Sequence, residues 1–210
     1  MLSHEIAVSL LEIKAVTVVD VNNLFTWVSG IKSPVYCDNR MTIGYPKIRK
    51  KIAHGFESII KKEYPDVSVV AGTATAGIPH AAWVSDLLDL PMVYIRSGQK
   101  GHGKGNQIEG VLEKGQKVVL IEDLISTGGS SIAACNAILE AGAEVVAVLA
   151  IFSYNFPQAR EKFESAGIPL HVLTDYETLL PIAVDKGYIN LDSLDALRRW
   201  KDNPRLFTKD

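Results

Sequence analysis

Apolar residues recur along this chain at two periods, and the alternation between them predicts the architecture. Ile6, Leu10, Leu11 and Ile13 fall at helical spacing within residues 4–14, so an amphipathic helix comes first. Residues 24–45 mix aromatics, Gly30, Pro34 and polar side chains, and read as short strands and loops. Pro46 suits the first turn of a helix, and Ile48, Ile52, Phe56, Ile59 and Ile60 continue one apolar face behind it. The run 67–71 is short and β-branched, which predicts a buried strand. Residues 77–88 read as helix, 92–95 as strand and 117–122 as strand. A helix over 130–141 is stopped by Gly142, and 145–151 is an apolar strand. Near the end, Thr174-x-x-Glu177 has capping-box spacing ahead of Leu179 and Leu180. Residues 192–201 form a last helix carrying Leu194, Leu197 and Trp200.

Strands that alternate with helices of ordinary length predict an α/β fold, built from right-handed crossovers around a parallel sheet flanked by helices. We expect one domain over residues 1–210. Its core runs from about residue 46 to residue 170, and a small hood is built from 1–45 and 171–210.

Composition narrows the class. The 210 residues are 47% hydrophobic and 22% charged, as in a soluble globular domain. The net charge of −2 gives no electrostatic footprint for a nucleic-acid partner. Cys37 and Cys135 lie far apart, without metal-ligand or redox spacing, which points to a reducing compartment. No stretch approaches the ~20 apolar residues of a membrane span, and residues 1–5 do not open like a secretory signal. A cytoplasmic protein with no membrane partner is expected.

Three loops carry candidate chemistry, each at the carboxyl end of an expected strand, where open α/β sheets bind ligands. Most informative is 118–130, Val-Val-Leu-Ile-Glu-Asp-Leu-Ile-Ser-Thr-Gly-Gly-Ser. There a strand ends in Glu122-Asp123, and Ser126-Thr127-Gly128-Gly129-Ser130 opens a helix. Carboxylates at a strand end must meet a ligand or water. A turn of small residues and hydroxyls at a helix start is an anion cradle. Together they suit a ribose 5-phosphate. Without a ligand, the same turn would be an ordinary N-cap by Ser126 or Thr127. The second loop, 72–77, contains only small residues, so its backbone can approach a polyanion closely. The third, 96–110, carries Arg96, Lys100, His102 and Lys104 among five glycines and has no acid before Glu109. A long cationic loop without apolar anchors suits a lid over a polyphosphate. Its glycines do not open a helix, so a dinucleotide fingerprint is rejected, and no phosphate-binding Gly-x-x-x-x-Gly-Lys-Ser/Thr occurs.

These residues resemble a known family. Segment 118–130 is similar to the phosphoribosyl pyrophosphate (PRPP) signature of the type I phosphoribosyltransferases. Within them the chain resembles the orotate phosphoribosyltransferases, through 25–40 (Phe-Thr-Trp-Val-Ser-Gly-Ile-Lys-Ser-Pro-Val-Tyr-Cys-Asp-Asn-Arg), 72–80 and 96–110. The resemblance implies Mg²⁺-dependent transfer of the phosphoribosyl group from PRPP to orotate, in pyrimidine synthesis. It also implies a homodimer whose basic loop covers the partner's active site. Carried over by position, Glu122 and Asp123 bind the ribose hydroxyls. Leu124, Ile125, Ser126, Thr127, Gly128, Gly129 and Ser130 wrap the 5′-phosphate, and Ser126 also meets orotate. Arg96, Lys100 and His102 engage the pyrophosphate and are the catalytic set. No protein metal ligand is assigned. Ser97, Ala76 and Val28 stand where some members carry lysine, and no clear arginine stands just after 145–151, where some bind the orotate carboxylate. Another type I phosphoribosyltransferase, or a regulator that senses PRPP, is the alternative.

Overall fold

The computed structural model describes residues 2–19, 23–26, 32–98 and 107–205. Helix α1 (Leu2–Glu12) buries Ile6, Ala7, Leu10 and Leu11, the stripe its spacing predicts. Strand β1 (Val16–Val18) follows, then the short antiparallel pair β2 (Phe25–Thr26) and β3 (Lys32–Ser33). Strand β4 (Val35–Cys37) returns antiparallel to β1. A 3₁₀ turn, Asn39–Gly44, leads into α2 (Pro46–Glu63), with Pro46 in the first turn where its missing N–H costs nothing.

From there strands and helices alternate through β5 (Val69–Thr73), α3 (Gly77–Leu88), β6 (Met92–Ile95), β7 (Ile108–Glu109) and β8 (Lys117–Ile125). Next come α4 (Gly129–Glu140), β9 (Glu144–Ser153), α5 (Pro157–Ala166), β10 (Leu170–Asp175), α6 (Tyr176–Asp185) and α7 (Leu194–Asp202). No helix among the described residues is long and apolar enough to cross a membrane.

The main sheet has six strands in the order β10-β9-β8-β5-β6-β7, all parallel except β7, which runs antiparallel to β6. The chain steps from β5 outward to β6, then returns to lay β8 on the other side of β5. The carboxyl ends of β5 and β8 therefore flank the switch point of the sheet, where a ligand crevice forms. Strands β5 and β9 read as unbroken apolar runs because helices cover both faces. Val70, Val119 and Ile121 face the cluster that includes α1 and α2, while Val69, Val118 and Leu120 face the cluster that includes α4 and α5.

Strand β1 falls where no element was expected, between the first helix and residues 24–45, and three later elements also lie outside the sequence-based expectation. Strand β7 is two residues long, below any periodicity. Helix α5 is largely polar and buries only Ala159 and Phe163. Strand β10 is an edge strand with weak alternation, and it carries the sheet past residue 170 to Asp175. The cap of α6 also shifts by one residue. Thr174 belongs to β10, and Asp175 is the N-cap, its Oδ1 accepting from the Thr178 N–H at 2.8 Å. The two chain ends meet: the Trp200 indole is fully buried and donates to the Lys32 carbonyl at 2.9 Å, against Phe156 and Tyr176.

Two glycines let α3 close on the switch point. A Cβ on Gly72 would stand 2.9 Å from the Ala81 Cβ, and one on Gly77 would strike the Ile121 carbonyl oxygen. Gly77→Ala is expected to cost about 1–3 kcal/mol, the range for overpacking, by pushing α3 off β8. Gly44→Ala, with nothing within 4 Å of the added methyl, should stay within about 0.5 kcal/mol of the parent. Urea unfolding of both variants checks the contrast.

Candidate active site

The phosphate-cradle candidate is a helix start without a side-chain cap. Gly128 is the N-cap of α4, at φ +73° and ψ 0°, and no side-chain hydrogen bond caps the helix. The capping role open to Ser126 or Thr127 is therefore not taken. The first N–H groups of an α-helix have no partner within it, and their dipoles favour an anion. Gly128 is needed twice over here. Its φ is left-handed, and a Cβ would sit 3.1 Å from Phe163 on α5.

The acid pair lies earlier in the strand than expected. Strand β8 does not end at Glu122 but pairs on with β9 through Ile125 opposite Ser153. Glu122 is only 6% exposed. Its Oε1 accepts from the Asp123 N–H and its Oε2 from the Ser131 hydroxyl, each at 3.0 Å. Asp123 is half-buried. Burial first, and the Asp123 charge second, push the Glu122 carboxyl well above the ordinary carboxylate range. Burial also raises Asp123, against a hydrogen bond from Glu122 and the nearby Arg40 charge. Burial therefore disfavours two adjacent full charges here.

Behind the acids runs a buried polar chain that sequence reasoning did not single out. Asn39 is fully buried, and its Nδ2 donates to the Asp123 carbonyl at 2.6 Å. The Thr42 hydroxyl donates to the Asn39 carbonyl at 2.6 Å and meets His80 Nε2 at 3.2 Å. Because the hydroxyl proton is already committed, Nε2 carries the imidazole proton and Nδ1 is the bare acceptor. Asn39 Oδ1 and His80 Nδ1 are both buried without a hydrogen-bond partner among the described residues. Single polar residues in a loop and a helix carry no periodic signal. Only the fold brings 39, 80 and 123 together.

The small-residue turn sits beside the acids. The Thr73 hydroxyl donates to the Ile121 carbonyl at 2.9 Å, and the Ala74 N–H donates to the Ile95 carbonyl at 2.8 Å. The Ala74–Thr75 peptide is cis. Arg96 follows β6 directly, adjacent to this turn, and pairs with Glu109 at 3.1 Å. Lys100 and His102 lie outside the described residues. After β9, Tyr154 is buried and stacked on Phe156, while Asn155 donates to Asp175, so the described side chains there bring no cation. Among the described residues no group of three or more His, Cys, Asp or Glu could hold a metal unaided.

His80 supplies a pH test of the buried chain. Burial pushes its imidazole down from 6.5 to about 4. Below pH 6.5 the unfolded chain takes up a proton that the folded protein refuses, so this contribution to stability falls as pH drops from 6.5 toward 4. The loss should reach roughly 3 kcal/mol. His80→Gln should flatten that limb in urea unfolding measured across the interval. An unchanged slope would remove His80 as its source.

The comparisons with known proteins agree with this geometry. Residues 44–167 match the family model described as a phosphoribosyl transferase domain. The chain is 58% identical over 203 residues to the orotate phosphoribosyltransferase of Halalkalibacterium halodurans, covering 97% of this chain and 96% of that one. It is similar to the crystal structure of orotate phosphoribosyltransferase from Aeropyrum pernix, with a TM-score of 0.76 and 28% identity over 88% of this chain and 99% of that one. It is also similar to the Mycobacterium tuberculosis orotate phosphoribosyltransferase solved with PRPP, with a TM-score of 0.64 and 25% identity over 84% and 98% of the two chains. A family model across most of the core, and a relative more than half identical along nearly the whole length, show that the chain belongs to the orotate phosphoribosyltransferase family.

Proposed function

We propose that this protein transfers the 5-phosphoribosyl group of PRPP to orotate, forming orotidine 5′-monophosphate and pyrophosphate in pyrimidine nucleotide synthesis. The observation that carries this reading is the α4 start without a side-chain cap, set just past the buried Glu122 and half-buried Asp123 at the switch point of the sheet. In this reading Glu122 and Asp123 receive the ribose hydroxyls. Leu124 through Ser130 hold the 5′-phosphate, largely through backbone N–H groups, and Ser126 also meets orotate. Segments 1–45 and 171–210 act as a hood over the base.

The chemistry follows from charge. The bond between C1 of the ribose and the pyrophosphate oxygen breaks, a ring nitrogen of orotate bonds to C1, and that nitrogen gives up its proton. Positive charge builds on the sugar as the bond loosens, as in glycoside cleavage. The acids beneath the ribose are placed to stabilise it. Arg96, Lys100 and His102 answer the negative charge that grows on the leaving pyrophosphate. When bound, Mg²⁺ would supply further neutralisation there, and Asp123 and Glu122 are the described carboxyls that would help hold it beside substrate oxygens and water. That donor set fits a site whose described residues offer two adjacent carboxyls rather than a metal cage. Loop 96–110 closes over the site and excludes water. The protein works as a cytoplasmic homodimer in which this loop serves the partner's site.

Loss of orotate absorbance on adding PRPP and Mg²⁺ is the direct test, with no loss in the absence of PRPP. Asp123→Asn should weaken PRPP binding about 10- to 100-fold by calorimetry, the scale of hydrogen bonds to a charged group; unchanged affinity would free the ribose of this residue. Lys100→Ala should lower turnover about 10²- to 10³-fold, as for a lost contact to transition-state charge. Turnover like the parent's would take Lys100 out of the mechanism.

A further inference from the structure

Helix α5 touches the turn that opens α4. Lys162 Nζ donates to the Thr127 carbonyl at 3.0 Å, and Phe163 lies against Gly128. The Thr127–Gly128 peptide is trans. In a trans peptide the carbonyl and the following N–H point in opposite directions. A Thr127 carbonyl turned out to Lys162 therefore turns the Gly128 N–H the other way.

That orientation is not secured by the turn itself. Gly128 has no Cβ, so the 127–128 peptide plane can rotate between the two common turn forms at little steric cost. The α4 start has no side-chain cap to hold it. Lys162 and Phe163 supply the missing constraint, one by a charge-assisted bond to the carbonyl and the other by contact beneath the glycine. The ammonium also brings positive charge close to a cup whose own residues, 124–130, include no cation.

We infer that Lys162 is a positioning residue for the 5′-phosphate: it holds the Thr127 carbonyl outward and so keeps the Gly128 N–H turned toward the bound phosphate. The inference rests on the reading of 124–130 as the 5′-phosphate cradle. Lys162 acts through the peptide and does not itself touch the sugar.

Calorimetry on the full-length protein with ribose 5-phosphate, and separately with Mg²⁺ and pyrophosphate, tests it in Lys162→Met and Lys162→Arg. Lys162→Met should weaken ribose 5-phosphate about three- to tenfold, the range for an exposed charge-assisted contact. Lys162→Arg should restore most of the loss, and pyrophosphate affinity should stay within twofold in both. Parent-like ribose 5-phosphate binding in Lys162→Met would overturn the role. So would an Arg variant no better than Met, or a matching loss of pyrophosphate affinity, which would signal general damage. If the parent protein binds pyrophosphate but no ribose 5-phosphate, the cradle reading fails, and the role of Lys162 falls with it.

Discussion

A carboxyl placed in the middle of a buried strand is the constraint from which the site is built. Glu122 has almost no access to water, and an unpaired charge there would cost several kcal/mol. The fold answers by bonding both oxygens, one to the next backbone N–H and one to the Ser131 hydroxyl on α4. The second bond ties strand to helix across the turn. With β8 and α4 clamped at Glu122 and Ser131, residues 123–130 have little freedom, and the acid and the cradle keep a fixed separation. A ligand that needs a hydroxyl partner at one end and an anion cup at the other then meets a preformed site.

The neighbouring elements serve the same clamp. Thr73 reaches across from β5 to the Ile121 carbonyl, and Gly77 lets the start of α3 pack against the same carbonyl. Asn39 holds the Asp123 carbonyl from the hood side, and Thr42 links it to His80 on α3. The 39–44 turn, the acid pair and the start of α3 are thus joined by short polar bonds inside a dry layer. Such bonds are stronger there than in water, and costly if broken. On the far side, α5 steadies the cradle from below.

Much of this was legible in one dimension. The periodicity located the central strands and the helices α2, α3 and α4 to within a few residues, because burial on one face leaves a regular imprint. Segment 118–130 stood out because adjacent acids run straight into a helix start of small residues, and the structure keeps the two features side by side. What stayed hidden had no pattern to reveal it: a two-residue strand, a polar helix with two buried positions, an edge strand, and the cap of α6. The cap depended on where the helix begins: α6 starts at Tyr176, so Asp175, the last residue of β10, is its N-cap rather than Thr174.

By itself, then, the sequence determined the α/β alternation, the three loops at strand ends, and which of them carries acids and which carries cations. Those are properties of neighbouring residues, and short-range stereochemistry writes them directly into the order of side chains. Tertiary structure alone decided that β8 runs on through its acids, that Asn39 and His80 stand behind Asp123, and that Lys162 grips the cradle's outer carbonyl. Each joins residues tens of positions apart. Such pairings follow from how the sheet turns back on itself at its switch point, and no local spacing encodes that.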